Sequence, residues 1–276
     1  MSFILASRIG YNGSMDANLV RLESLTDESR TRIEHADSLA RRAVQPWDPN
    51  EFTEQLRQVG RRHYHDQHPF HRLMNEGRLE REPIRLWVAN RFYYQKNIPI
   101  KDAILLARCP LREVRRLWVR RILDHDGWGD DPGGIEKWLR LGEAVGLSRE
   151  DLQSDRHLLA GARYAVDAYV QFVASRPWIE GVASSLTELF APPLMTERLA
   201  AFEKHYTWID PAALDYFRSR PSLATRDSEH ALALVLAHCR DRDHQEQAVA
   251  ALRFKCELLC AQLDALYYHC FVKDGG

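Results

Sequence analysis

The sequence predicts an all-α fold, and three observations carry that prediction. From Glu51 onward nearly every segment repeats its apolar residues at helical spacing, and no run alternates at period two. Breakers fall between these segments, at Pro69, Pro99, Pro110, Gly127 to Gly134, Gly146, Pro177, Pro192-Pro193 and Pro211, which leaves short loops. The 276 residues are 45% hydrophobic and 28% charged, the balance of a globular chain with enough apolar matter for a sizeable core. A single helical bundle over residues 51–276 is the expectation.

Residues 1–50 differ. They mix Ser, Asn, Asp and Arg, carry little apolar content and end at Pro46-Trp47-Asp48-Pro49-Asn50. A charged helix over 26–42, starting at Thr26-Asp27-Glu28, has only a thin apolar face. This segment is read as an N-terminal extension, either partly disordered or a docking arm. Beyond it, helices are expected at about 50–59, 81–98, 100–108, 111–125, 133–146, 162–175, 178–190, 193–204, 210–219, 222–240 and 243–270.

The helix from 81 to 98 carries the first chemical signal. Ile84, Trp87, Val88, Arg91, Gln95 and Ile98 share one face, with Tyr94 one step around. Arginine is rarely buried without a partner, because stripping its water costs several kcal/mol. An anion therefore has to meet Arg91, either an internal Asp or Glu or an anionic ligand. The pattern recurs. Arg121 and His125 lie at i, i+4 in the stripe of Val114, Leu117, Trp118 and Ile122. Tyr216 and Arg220 stand one turn apart, and Lys255 shares the face of Ala248, Ala251, Leu252, Leu259 and Leu266. Four helices aiming such groups inward point to an enclosed, polar, anion-binding cavity. His125, between Asp124 and Asp126, suits acid–base work near neutral pH, although an interior histidine is as often a satisfied core residue.

A metal site is the competing reading. His63, His65, His68 and His71 crowd one segment, but Pro69 interrupts it, so they need not share a face. Helical di-iron sites need Glu-x-x-His pairs, and the sequence has none, with Asp227-x-x-His230 as a near match. Dinucleotide, Walker, G-x-S-x-G and H-E-x-x-H signatures are absent. The expectation is no metal. The net charge of -1 supplies no field for nucleic acid or anionic lipid, so neither is expected as a partner. Five cysteines, an odd number without a C-x-x-C pair, fit a reducing cytoplasm; Cys256 and Cys260 read as small core residues. No apolar run is long enough for a membrane span or a signal-peptide core.

Several long stretches resemble the pyrroloquinoline-quinone (PQQ) synthase family over residues 51–270. They are Tyr64 to His71, Trp87 to Lys101, Arg121 to Gly127, Gly134 to Ser148, Ser184 to Pro192 and Tyr216 to Arg220. The resemblance implies a compact bundle of the haem-oxygenase-like type, working as a homodimer. It implies ring closure and eight-electron oxidation of a bicyclic tricarboxylated precursor by O2, giving PQQ and hydrogen peroxide. No metal or resident redox cofactor is implied; O2 is co-substrate and PQQ the product ligand. Other PQQ-biosynthesis proteins are implied as partners, one of them delivering the precursor.

Carried over by the same resemblance, the catalytic group comprises His125, Tyr216, Arg220, Lys255 and His65. The substrate-binding group comprises Tyr64, Arg91, Tyr94, Gln95, Lys101, Arg121, Tyr169, Glu188 and Arg198. Arg91, Lys101, Arg121 and Arg198 would bind carboxylates, and His125 would be the principal acid–base group beside the oxygen pocket. Tyr216 and Arg220, on a short mobile helix, would close over the ligand, while Lys255 would support the quinone oxygens. Met195 departs from the family, some of whose members have histidine there. Two other readings of the same residues are a non-catalytic carrier of PQQ or its precursor and a metal-dependent oxygenase on the same scaffold.

Overall fold

The computed structural model describes Arg32 and residues 45–273, so the extension expected over 1–50 lies almost wholly outside the described residues. Among those residues the structure is helical, with no strand beyond an isolated bridge between Trp128 and Asp131. The helices are α1 (Pro49–His63), α2 (Pro69–Asn75), α3 (Arg81–Arg108), α4 (Arg112–Asp126), α5 (Gly133–Ala144) and α6 (Arg149–Gln153). They continue with α7 (Ala160–Ser175), α8 (Trp178–Ser184), α9 (Ala191–His205), α10 (Asp215–His238) and α11 (Arg242–Phe271). Short 3-10 turns cover His65–Gln67, Ser185–Leu189 and Pro211–Leu214.

The domain begins with a well-anchored start. Asp48 caps α1 by accepting from the amides of Asn50 and Glu51, and Glu51 returns the bond to the Asp48 amide. Just before it, Trp47 and Gln245 exchange two hydrogen bonds of 2.8 and 3.0 Å. The long helices α3 and α11 form the middle of the bundle: α3 packs on α4, α5 and α7, and α11 on α1, α7 and α8. An aromatic cluster of Trp87, Trp138, Phe202 and Phe217 joins α3, α5, α9 and α10. The Trp138 indole donates to the Val88 carbonyl at 3.0 Å, which satisfies its buried N–H.

Two helices run through a proline, one of them at an expected break. Pro99 lies inside α3 and Pro221 inside α10, so the segments 81–98 and 100–108 are one helix, and 210–219 and 222–240 are a 3-10 turn followed by one helix. A helix-interior proline deletes one hydrogen bond and crowds the preceding turn, costing about 3 kcal/mol in isolation. Burial on both sides offsets this: Ile98, Lys101 and Leu105 flank Pro99, and Phe217 and Ala224 flank Pro221. The other prolines behave as expected, with Pro69 opening α2 and Pro192 and Pro193 in the first turn of α9. Helices α2 and α6 fall in segments where no helix was expected; both are short.

Candidate functional site

On α3, Tyr94, Gln95 and Lys101 are buried and Arg91 is partly buried, all facing inward. Among the described residues Arg91 meets no carboxylate; its guanidinium lies over the Tyr94 ring at 3.9 Å. For Arg91 an internal acid is thus not the answer. Gln95 Oε1 accepts from the Tyr216 hydroxyl at 3.1 Å, tying α3 to the first turn of α10. The Tyr216 ring stands edge-on to Trp138, 4.9 Å away, which fixes its plane.

For Arg121 the internal acid is the answer. Its Nε lies 3.4 Å from Asp102 Oδ2, one Nη 3.4 Å from Glu188 and the other 2.8 Å from Asp227 Oδ2. The last contact is an ion pair whose angle does not make it a hydrogen bond, since both atoms lack a hydrogen-bonding partner. Burial would lower the guanidinium's pKa, but these three carboxylates raise it above the usual value. Lys101 is likewise held at home, 2.6 Å from Asp102 Oδ1 and 3.1 Å from the Ser185 hydroxyl. Burial would raise Asp102, and Lys101 and Arg121 outweigh it to hold the carboxyl below its ordinary range. Arg220 reaches Glu188 at 2.5 Å and Asp227 at 3.9 Å. Burial opposes the charge on Glu188, yet Arg220 and Arg121 hold its pKa at about 2. Lys101 and Arg121, expected to bind substrate carboxylates, thus also serve acids of the protein itself.

The remaining cations have no such acid. Lys255 is fully buried, and its Nζ lacks a hydrogen-bond partner. It rests 3.4 Å from the ring centre of Tyr169 and 4.1 Å from that of Tyr94. Burial, then Arg91 and Lys101, pushes its pKa well below the ordinary lysine value. Arg198 lies over Trp87 at 5.1 Å, donates to His71 Nε2 at 3.0 Å and leaves its buried Nε unpartnered. Burial and Arg91 bring its pKa down to about 10, still protonated at neutral pH. Three of the cations, Lys101, Arg121 and Arg220, thus pair with Asp102, Glu188 and Asp227, while Arg91, Arg198 and Lys255 meet no carboxylate among the described residues.

A void of about 30 Å³, room for roughly two waters, separates these groups. Tyr64, His65, Arg91, Tyr94, Tyr216 and Arg220 line it, together with Glu188 and Met195. A smaller void beyond it touches His65, His71, Arg91 and Arg198. Burial raises the pKa of Tyr64 and Tyr94, so both keep their phenolic protons. The Tyr169 hydroxyl accepts from Ser184 at 3.4 Å, and Tyr169 is not among the residues that line the void.

His125 is not among the residues that line it either. The ring is buried at the end of α4, and its Nδ1 donates to the Arg121 carbonyl at 2.8 Å, which leaves Nε2 as the lone-pair nitrogen. Burial, then the charge of Arg220, lowers its pKa to about 4. It is a neutral imidazole at pH 7 and a weaker base than the expected near-neutral group. Its acidic neighbours in sequence do not touch it; Asp124 pairs with Arg226 on α10. The turn after it requires glycine. Gly127 and Gly133 have φ of +91° and +76°, and a Cβ on Gly133 would lie 2.6 Å from the His125 carbonyl.

Tyr216 and Arg220 are placed differently from the expectation. They occupy the first two turns of the 24-residue α10, not a short separate helix. The histidine run also separates: His65 and His71 meet, with Nδ1 atoms 3.1 Å apart, whereas His68 turns outward to Asp264. Reading the sequence missed Asp102, Asp227 and His71. Asp227, which the sequence shows as half of a near metal motif, pairs with Arg121 and Arg226. The signal for Asp102 was its place beside Lys101 on the inward face of α3.

A sequence profile of the TENA/THI-4/PQQC family matches residues 53–265. The pyrroloquinoline-quinone synthase of Ectopseudomonas mendocina (strain ymp) is 56% identical over 218 residues, 79% of this chain and 87% of that one. The protein of the same name from Cronobacter sakazakii is 54% identical over 218 residues, 79% and 86% of the two chains. Among solved structures, a domain with a heme oxygenase-like fold from Shewanella denitrificans superposes with a TM-score of 0.64 at 13% identity, covering 82% of this chain and 93% of that one. A TenA homolog from Pseudomonas syringae gives 0.64 at 12%, covering 79% and 91%. These two likenesses establish the haem-oxygenase-like fold.

Proposed function

The chain belongs to the TENA/THI-4/PQQC family, and from that membership we propose that it is a pyrroloquinoline-quinone synthase, an oxidoreductase with O2 as electron acceptor. It closes a ring in a bicyclic tricarboxylated precursor and removes eight electrons, giving PQQ and hydrogen peroxide. The observation that carries this reading is the set of inward-facing basic groups that meet no acid among the described residues, Arg91, Arg198 and Lys255. Uncompensated cations in a closed interior are costly, and a polycarboxylate is the ligand that compensates them.

Arg91 and Arg198 offer planar forks to carboxylates, and Lys255 a point charge to a third anionic group or a quinone oxygen. The acid-paired half of the cluster, from Lys101 to Arg220, fixes the frame and keeps Tyr216 and Arg220 aimed at the void. His125, with Nε2 unprotonated, is the base that takes protons from the substrate as electrons leave for O2. The charged Arg220 stabilises negative charge developing on reduced oxygen, and Tyr216, its hydroxyl donating to Gln95, is held in the wall beside it. The void is far smaller than a bicyclic ligand, so binding requires the lining elements to part and close again, which excludes water from reduced intermediates.

We assign the reaction no metal and no resident redox cofactor. In support, the two imidazoles that meet, His65 and His71, lie in the positive field of Arg91 and Arg198, which disfavours a metal cation. The same reading carries a homodimer, in which exposed Tyr164 and Tyr268 offer apolar surface to a second copy, a cytoplasmic location, and a pathway protein that delivers the precursor. No helix among the described residues is long and apolar enough to cross a membrane. Turnover of the bicyclic precursor, followed by oxygen uptake and quinone absorbance, tests the reading directly.

A further inference from the structure

His71 belongs to no group assigned so far, yet it is fully buried between Arg198 and His65. Hydrogen-bond arithmetic decides the protonation of all three. A guanidinium has only donors, so the 3.0 Å contact from Arg198 Nη2 makes His71 Nε2 an acceptor with a lone pair. The single proton of a neutral His71 then sits on Nδ1. That nitrogen faces the His65 carbonyl at 2.9 Å and His65 Nδ1 at 3.1 Å, and its N–H is shared between them. A proton on His65 Nδ1 would point at this N–H and find no acceptor. His65 must present a lone pair there and carry its own proton on Nε2. Both imidazoles stay neutral, since burial, reinforced for His71 by Arg198 and for His65 by Arg91, opposes a second proton on either ring.

We propose that His71 is a positioning residue that, anchored by Arg198, locks His65 as its Nε2–H tautomer, so that His65 offers the bound ligand a hydrogen-bond donor and not a base. The consequence for the reaction rests on the site reading above, because the His65 ring lines the void where the precursor would lie. In that role His65 holds a carbonyl or carboxylate oxygen, and proton removal is left to His125. The relay runs from a fixed charge through two rings to the cavity. Arg198 therefore shapes the donor pattern of the site as well as its charge.

The test begins with the wild-type protein labelled with 15N at histidine, using two-bond proton–nitrogen correlations to read each ring's tautomer. His65→Gln and His71→Gln identify the two signals by their loss. The expected result is Nδ1–H for His71 and Nε2–H for His65. A wild-type His65 protonated on Nδ1, or on both nitrogens at pH 7, overturns the proposal whether or not the protein turns over the precursor. Function is read with His71→Phe, which keeps a ring but donates nothing. His65 should then show mixed tautomers, and KM for the precursor should rise roughly tenfold with a smaller change in kcat. His71→Asn, whose amide N–H reaches the place of Nδ1, should restore the His65 tautomer and most of the KM. If His71→Phe folds and leaves the His65 tautomer unchanged, His71 fills space only. Failure of turnover with the expected tautomers would count against the enzymatic reading and leave the relay intact.

Discussion

Lys255 Nζ stands 3.4 Å from the centre of the Tyr169 ring, fully buried and without a hydrogen-bond acceptor. A lysine in that setting is held by a ring quadrupole alone, and burial drives its pKa well below the ordinary value. An anionic ligand reverses the balance by favouring the charged form. Binding of PQQ should therefore take up protons. Titration calorimetry in buffers of different ionisation enthalpy reads this uptake. Lys255→Met should abolish it, and a wild-type protein that binds without proton uptake contradicts the assignment.

Arg91 meets no carboxylate among the described residues, so on the proposed reading its loss should be felt in binding and not in folding. Arg91→Leu should weaken PQQ binding by about 2 kcal/mol, roughly thirtyfold, with little change in the unfolding midpoint. Fluorescence titration beside urea unfolding measures both. An untouched affinity would make Arg91 structural.

Asp227 should behave in the opposite way. It lies 2.8 Å from Arg121 and also pairs with Arg226, so Asp227→Asn removes the nearest of the three carboxylates around a buried guanidinium. The expected cost is about 3 kcal/mol in stability. Adding Arg121→Met should recover part of it, and the double-mutant cycle measures the coupling.

This contrast marks how far the sequence could be read. Helical spacing exposed Arg91, Arg121 and Lys255 as charges among apolar residues, which is a local signal. Which of them are paired is a long-range matter: Asp227 is remote in sequence from Arg121, and nothing in either helix announces the other. The same limit explains Pro99 and Pro221. Local rules end a helix there, and burial against neighbouring helices carries it through. His125 was legible as an interior residue, but its low pKa comes from burial and from Arg220 on another helix. His71 was visible only as one of four crowded histidines, because its role depends on Arg198, far along the chain on α9.

Acid should destabilise the fold before most carboxylates titrate. The folded protein holds His125 near 4 against an ordinary 6.5, and His65 and His71 are lowered in the same direction. Between those values the unfolded chain binds protons that the folded one refuses, so stability is full above pH 6.5 and falls as pH drops toward 4. His125 alone should contribute about 3 kcal/mol to that fall. Urea unfolding at pH 7.5, 6 and 5 measures the slope, and His125→Gln should flatten it. Glu188, held at about 2, adds its loss only below about pH 4.5.

Truncation at two nearby points should give different proteins. Removing residues 1–44 leaves the Trp47–Gln245 bonds and the Asp48 cap in place and should preserve turnover. Removing residues 1–48 deletes both and should lower stability by about 1–2 kcal/mol. Thermal unfolding of the two proteins separates these outcomes.

The central claim is cofactor-independent oxidation of a polycarboxylated precursor in this cationic site. Its most direct test is oxygen uptake by metal-stripped protein supplied with the bicyclic precursor, with quinone absorbance and peroxide followed together. The account predicts oxygen consumption, PQQ formation and peroxide release without added metal. Tight binding with no uptake would make the protein a carrier, and activity that returns only with added iron would make it a metal-dependent oxygenase; either contradicts the claim.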